Sequence, residues 1–284
     1  MLMLHVVWDI DPVLLQLGPV ALRWYGLLFT AGFFAAYWAG AWSFEKAGDS
    51  GETASALLGY VVIGTIVGAR LGHCLLYEPE YYLRHPLQIL EFWRGGLASH
   101  GGAAGIAIAV WLYARRTGRN VLWLLDRVAV AAPVAAAFIR VGNFFNSEIV
   151  GRPSAVPWAV VFARLDSRPR HPAMLYESAA YLVIFAGMLW LERRTRLRDR
   201  AGALTGILLM SVFSARFVIE FLKEPQEAFE AALPLDLGQL LSLPVVLIGL
   251  LLLYRARTSG DAPSTSESRK QGTDRDHDAQ RHLD

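Results

Sequence analysis

The chain has 284 residues, 54% of them hydrophobic and 18% charged, with a formal net charge of +2. Soluble domains carry nearer a quarter charged residues, so composition points to a membrane; the net charge itself says nothing about nucleic acid, but no basic stripe interleaved with aromatics offers a site for such a partner. The single cysteine, Cys74, excludes an intrachain disulfide and a cysteine-rich metal site and reads as a small core residue.

The opening "MLMLHVVWDIDPVLLQLGPV" has no basic start and carries Asp9 and Asp11, where a signal peptide needs an unbroken apolar core. The first span is therefore expected to serve as the insertion signal. A hydrocarbon core of about 30 Å needs roughly 20 mostly apolar residues in a helix. Seven windows qualify: 19–43, 53–77, 97–114, 121–139, 173–191, 201–221 and 237–254. Their apolar runs are continuous, not alternating, and backbone groups must pair internally in lipid, so each is read as a helix. The expected fold is an all-α membrane protein of seven transmembrane helices, one domain over residues 1–257.

Lys46, then Arg115, Arg116 and Arg119, then the arginines of "ERRTRLRDR", then Arg255 and Arg257 fall in alternate connections. Basic short loops stay cytoplasmic, which places the N-terminus outside and the C-terminus inside. The other side holds the longer segments 78–96, 140–172 and 222–236, read as a small periplasmic head. Segment 140–172 breaks the charge bias with Arg152, Arg164, Arg168 and Arg170, so those charges are expected to have another task. Residues 258–284 mix both signs with few apolar residues and are read as a disordered cytoplasmic tail, with His277 and His282 as solvated tail residues.

Ionisable groups inside spans are costly and face protein or water. Near the first span, "LRWYGLLF" sets Arg23 and Tyr25 beside Trp24; an interfacial aromatic belt with a snorkelling arginine accounts for them equally well. "GTIVGARLG" spaces Gly64, Gly68 and Gly72 by four, a groove for close helix packing that leaves Arg70 unexplained. "LASHGGAAGI" sets His100 before Gly101, Gly102 and Gly105. Packing explains the glycines but does not require the histidine, which could accept a proton. Glu177 in "HPAMLYES" lies close enough to a span end for water to reach it. Arg216 and Glu220 in "ARFVIEF" form an i,i+4 pair, which neutralises itself or aims the guanidinium at a ligand.

The densest stretch is "FIRVGNFFNSEIVGRP", residues 138–153. Arg140 and Asn143 share a helix face, and Asn146 and Glu148 follow as the helix gives way. A guanidinium beside carboxamides at the outer depth of a bilayer suits a lipid phosphate, which arginine grips bidentately.

With "GPVALRWYGL", "GARLGH", "SHGGAAG", "RVGNFFNSEIVGRP", "HPAMLYE", "RFVIEF" and "LDLGQLLSLP", the chain resembles the prolipoprotein diacylglyceryl transferases of the bacterial inner membrane. The resemblance implies a multi-pass protein with its active site towards the periplasmic leaflet. Its implied activity is transfer of the diacylglyceryl group of phosphatidylglycerol to the lipobox cysteine of a prolipoprotein signal peptide, with no metal or organic cofactor. It implies phosphate contacts from Arg140 and Arg216, head-group positioning by Asn143 and Asn146, and orientation of the arginines by Glu148 and Glu220. Tyr25 and Gly151 would line the substrate site, Arg70 would support it, and His100 would activate the thiol or place the lipid. The chain departs from the family pattern at Met174, often Gln, and at "KEPQ", Lys223 to Gln226, where Arg-Glu-Pro-Asp is usual. The rival reading is a polytopic transporter or channel, which would need charges spread through the depth of several spans. A lipid-binding protein without catalysis would keep the phosphate site.

Overall fold

The structure is a computed structural model that describes residues 5–18, 20–91, 96, 98–224 and 235–258. The tail beyond 258 and Gln226 lie outside the described residues. These fall into two compact units, 5–39 with 128–258, and 40–127.

In chain order the elements are β1 (Val6–Trp8), β2 (Val13–Leu17), β3 (Val20–Arg23), α1 (Trp24–Lys46), α2 (Gly51–Leu76), α3 (Pro79–Arg84), α4 (Ser99–Thr117), α5 (Val121–Asn146), β4 (Val160–Phe162), β5 (Pro169–Arg170), α6 (Ala173–Arg194), α7 (Ala203–Glu220) and α8 (Leu237–Thr258). All seven apolar windows contain a helix. Six of them, α1, α2, α5, α6, α7 and α8, are long and apolar enough to cross a membrane. The third window, α4, falls short of that measure, because Ser99 to Gly102 occupy one end and Arg115 with Arg116 the other.

The all-α expectation needs correction outside those windows and at the start of the first. β2 and β3 form an antiparallel hairpin through Gly18, whose φ of 58° is left-handed backbone that suits glycine. That pairing takes residues 20–23, so the first helix begins at Trp24 instead of residue 19. β1 pairs in parallel with β4, and β4 antiparallel with β5. This small sheet packs Val160 and Phe162 on Phe144, Val150 and Met174. Trp8 of β1 lies 4.2 Å from the Phe144 ring. The end of α5 and the start of α6 are thereby clamped to one apolar centre.

In the second unit, "TGRN" makes the turn from α4 to α5. Gly118 closes α4 with φ 70°, and the Asn120 side chain accepts from the N–H groups of Leu122 and Trp123, capping α5. The glycine stripe of α2 does what its spacing predicts. A Cβ on Gly64 would lie 2.6 Å from the Gly105 carbonyl, and one on Gly72 would lie 2.7 Å from Gly101 Cα. α4 thus lies along α2 at backbone contact.

Candidate active site

The polar residues of the first unit gather where five segments end: the start of α1, the end of α5, the start of α6, the end of α7 and the start of α8. Arg140 lies in α5, less than two turns before its last residue, Asn146. Its Nε is 2.8 Å from Glu177 Oε2, and its Nη1 donates to Asn143 Oδ1 at 3.2 Å. The Nε contact misses hydrogen-bond direction, leaving Glu177 Oε2 unsatisfied by that criterion; Coulomb attraction at 2.8 Å does not depend on that angle, so it stands as an ion pair. Asn143 Nδ2 donates to Glu148 Oε2 and Asn146 Nδ2 to Glu148 Oε1, both at 3.1 Å. Tyr25 stands over Gly142, where a Cβ would come within 2.9 Å of its ring. The absence of a side chain at 142 therefore admits the aromatic next to Arg140.

Glu177 is fully buried, which corrects the expectation that water reaches it. Its second oxygen accepts from Lys223 Nζ at 3.0 Å, and the same ammonium donates to Glu220 Oε2 at 3.0 Å. Glu220 Oε2 is also 4.0 Å from Arg216 Nε. A continuous run of alternating charge, Arg140–Glu177–Lys223–Glu220–Arg216, therefore joins α5, α6 and α7. Five ionisable groups at such depth are tolerable because each carboxylate faces two cations. Glu220 also leans on the first turn of α8: a Cβ on Gly238 would be 2.6 Å from its carboxyl carbon. The positive end of that helix favours the charge, which explains the glycine of "LDLGQLLSLP".

The expected residues are brought together unevenly. Tyr25, Arg140, Asn143, Asn146, Glu148, Arg216 and Glu220 share the first unit. Glu148 bonds the two asparagines, and the carboxylate on Arg140 is Glu177 instead. Glu177 and Lys223 are the members that sequence reasoning undervalued. The available signal was a carboxylate in the first turns of an otherwise apolar α6, and the "KEPQ" departure. Gly151 is a joint: a Cβ there would come within 2.5–2.7 Å of His171 and the Leu222 carbonyl. It bridges to Lys223 and donates its N–H to the His171 carbonyl.

Two of the excess arginines of segment 140–172, Arg152 and Arg170, have bracing work. Arg152 Nε donates to the Lys223 carbonyl at 2.8 Å. Arg170, buried, donates to Asp166, Glu224 and the Gly151 carbonyl. The hydrogen bond from Arg170, followed by the Arg168 N–H, holds the Asp166 carboxyl below its ordinary pKa.

His100 and Arg70 belong to the second unit. His100 is exposed at one end of an apolar groove of about 1010 Å³ between α2 and α4. Of its neighbouring glycines, Gly101 and Gly105 are consumed by helix packing, whereas a Cβ on Gly102 would make only ordinary contacts. Arg70 is buried. Its Nε donates to the Ile89 carbonyl, Nη2 to Gln88 and Nη1 to Gly96, while its guanidinium lies 5.0 Å from the Tyr82 ring centre.

Residues 12–255 match the family model for prolipoprotein diacylglyceryl transferase. A phosphatidylglycerol–prolipoprotein diacylglyceryl transferase of Tolumonas auensis is 49% identical over 87% of this chain and 95% of its own length. Proteins of the same name from Chloroherpeton thalassium and Porphyromonas gingivalis are each 44% identical, over 92% and 88% of this chain and 98% and 94% of their own lengths. The chain belongs to the prolipoprotein diacylglyceryl transferase family and is a transferase of lipoprotein biosynthesis.

Proposed function

We propose that this protein moves the diacylglyceryl group of phosphatidylglycerol onto the lipobox cysteine of a prolipoprotein, from the periplasmic leaflet of the bacterial inner membrane. The cysteine sulfur attacks the glycerol carbon that bears the phosphate. The carbon–sulfur bond of a thioether forms, the carbon–oxygen bond breaks, and its electron pair leaves with glycerol 1-phosphate. The thiol proton passes to a base.

The observation that carries this reading is the ionic run through Arg140 and Arg216, two guanidiniums from separate helices joined over one site. Stabilising charge on a departing group is usually the largest catalytic term, and guanidinium matches phosphate oxygens bidentately. Asn143 and Asn146, tied by Glu148, position the head group, and Tyr25 walls the site. A free thiol of pKa about 8.5 is only slightly ionised at neutral pH, so a base contributes about 10²–10⁴ in rate; His100 is assigned that role. Arg70, which donates to three backbone carbonyls, is assigned a supporting role. The backbone-close packing of α4 on α2 supports a seventh span, and the basic connections, read as cytoplasmic, favour an N-terminus outside.

The test is purified protein with phosphatidylglycerol and a lipobox peptide. The peptide gains a diacylglyceryl mass on its cysteine, and a peptide with serine in its place gains nothing. Solute uptake into liposomes without any lipidated peptide would favour the transporter reading instead.

A further inference from the structure

Lys223 sits two residues past Phe221, the C-cap of α7, and is 2% exposed. Its backbone is held on three sides. The N–H donates to the Glu220 carbonyl, the carbonyl accepts from Arg152, and the residue bridges to Gly151. Its ammonium therefore enters the ionic run from a fixed root. The same oxygen of Glu220 is 3.0 Å from Lys223 Nζ and 4.0 Å from Arg216 Nε. The first distance is a hydrogen bond and the second is not. The i,i+4 spacing offers Glu220 to Arg216, but Lys223 takes it. Gly238 contributes from the other side, since only a residue without a Cβ leaves the carboxylate room against α8.

We propose that Lys223 is a positioning residue: it withholds Glu220 from Arg216, so that the Arg216 guanidinium stays available to the phosphate oxygens of the lipid. This rests on the phosphate-binding role assigned above. Remove the ammonium and Glu220 turns to the next cation on its own helix, tightening the 4.0 Å ion pair with Arg216 into a hydrogen bond that competes with the ligand. Lysine suits the post because its ammonium can donate to carboxylates from two different helices at once. An arginine at 223 carries the same charge, so the conservative variant should work.

The experiment measures KM for phosphatidylglycerol and kcat for peptide lipidation with the full-length protein. Lys223→Met raises KM by about tenfold or more, the scale of a charged hydrogen bond, with a smaller change in kcat. Lys223→Arg stays within about threefold of the parent. The deciding variant is Lys223→Met with Glu220→Gln, which removes the competing carboxylate and recovers most of the lost KM. If the double variant is no better than Lys223→Met, the lysine is merely structural and the proposal is overturned. Should Lys223→Met fail to fold, the comparison moves to Glu220→Gln with and without Lys223→Met. With Glu220 neutral there is nothing to withhold, so the two KM values agree within about threefold; a gap of about tenfold assigns Lys223 a direct role and rejects ours. A parent protein that yields no thioether overturns the functional reading itself, whereas an active parent with an unmoved KM overturns only this inference.

Discussion

Arg70 in α2 and Arg140 in α5 are both guanidiniums on helices apolar enough to cross a membrane, yet their partners differ in kind. Arg70 spends Nε, Nη1 and Nη2 on the carbonyls of Ile89, Gly96 and Gln88. Those acceptors are neutral and fixed in the backbone, so the bonds staple a connecting segment to its helix. Arg140 faces a carboxylate and an amide oxygen, and its carboxylate is shared with Lys223. Charge that is shared can be redistributed when an anion arrives; carbonyls on a backbone cannot. A buried arginine is therefore not a functional site by itself, and the nature of its acceptors separates brace from ligand.

The sharpest way to break that contrast is Arg140→Lys. It keeps the charge but loses the planar fork, and we expect lipidation to fall by about 10²-fold or more, the scale of a lost transition-state donor. Thermal unfolding in detergent should barely move. Near-parental activity would mean that Arg140 is a brace like Arg70.

Arg70→Met is the reciprocal change. It removes three part-buried bonds to backbone carbonyls, each hydrogen bond from a charged donor contributing about 1.5–3 kcal/mol, so the melting temperature should drop. Activity per folded molecule should hold far better than in Arg140→Lys. A stable Arg70→Met protein with no activity would reverse the assignment and return Arg70 to the substrate.

Much of this was legible in the sequence, for reasons visible in particular residues. Apolar length located every long helix because lipid leaves the backbone no other solution. The four-residue glycine spacing in α2 predicted close packing because helix geometry alone sets it. The strands escaped notice because β1, β4 and β5 are two or three residues long, too short for a period to show, and the β2–β3 hairpin hides in an apolar run, with β3 continuous with the first spanning window. Glu177 was undervalued since depth along a helix says nothing of what covers the side chain. Lys223 needed coordinates, because its partners lie 46 and three positions away in sequence and only the fold brings them to one ammonium.

The bracing arginine Arg170 gives a milder, pH-driven test of the same distinction. Its hydrogen bond depresses the Asp166 pKa, so the unfolded chain takes up that proton first. The stabilisation is intact above about pH 4 and is lost as pH falls through the lower folded value. Asp166→Asn should flatten this acid limb of the stability profile while leaving activity at neutral pH close to parental. Asp166 is only half-buried, so water screens the pair and the effect is small; an unchanged acid limb would show that the pair contributes nothing.

The smallest effect concerns the turn that hands α5 over to the head. Ser147 and Ile149 have φ of 56° and 58°, left-handed backbone that costs a non-glycine residue about 1 kcal/mol or more. The two straddle Glu148, and reversing the chain there brings its carboxylate back onto Asn143 and Asn146. At Ser147 the strain is accompanied by a buried hydroxyl oxygen that finds no partner among the described residues. Glycine removes both penalties and keeps the turn, so Ser147→Gly should stabilise the protein by about 1 kcal/mol, set against the greater freedom glycine has when unfolded. Ile149→Gly forfeits side-chain packing as well, so it should gain less or lose. If Ser147→Gly lowers the melting temperature, the serine is held by more than the backbone reveals, and the turn is not the strained element that its dihedral angles describe.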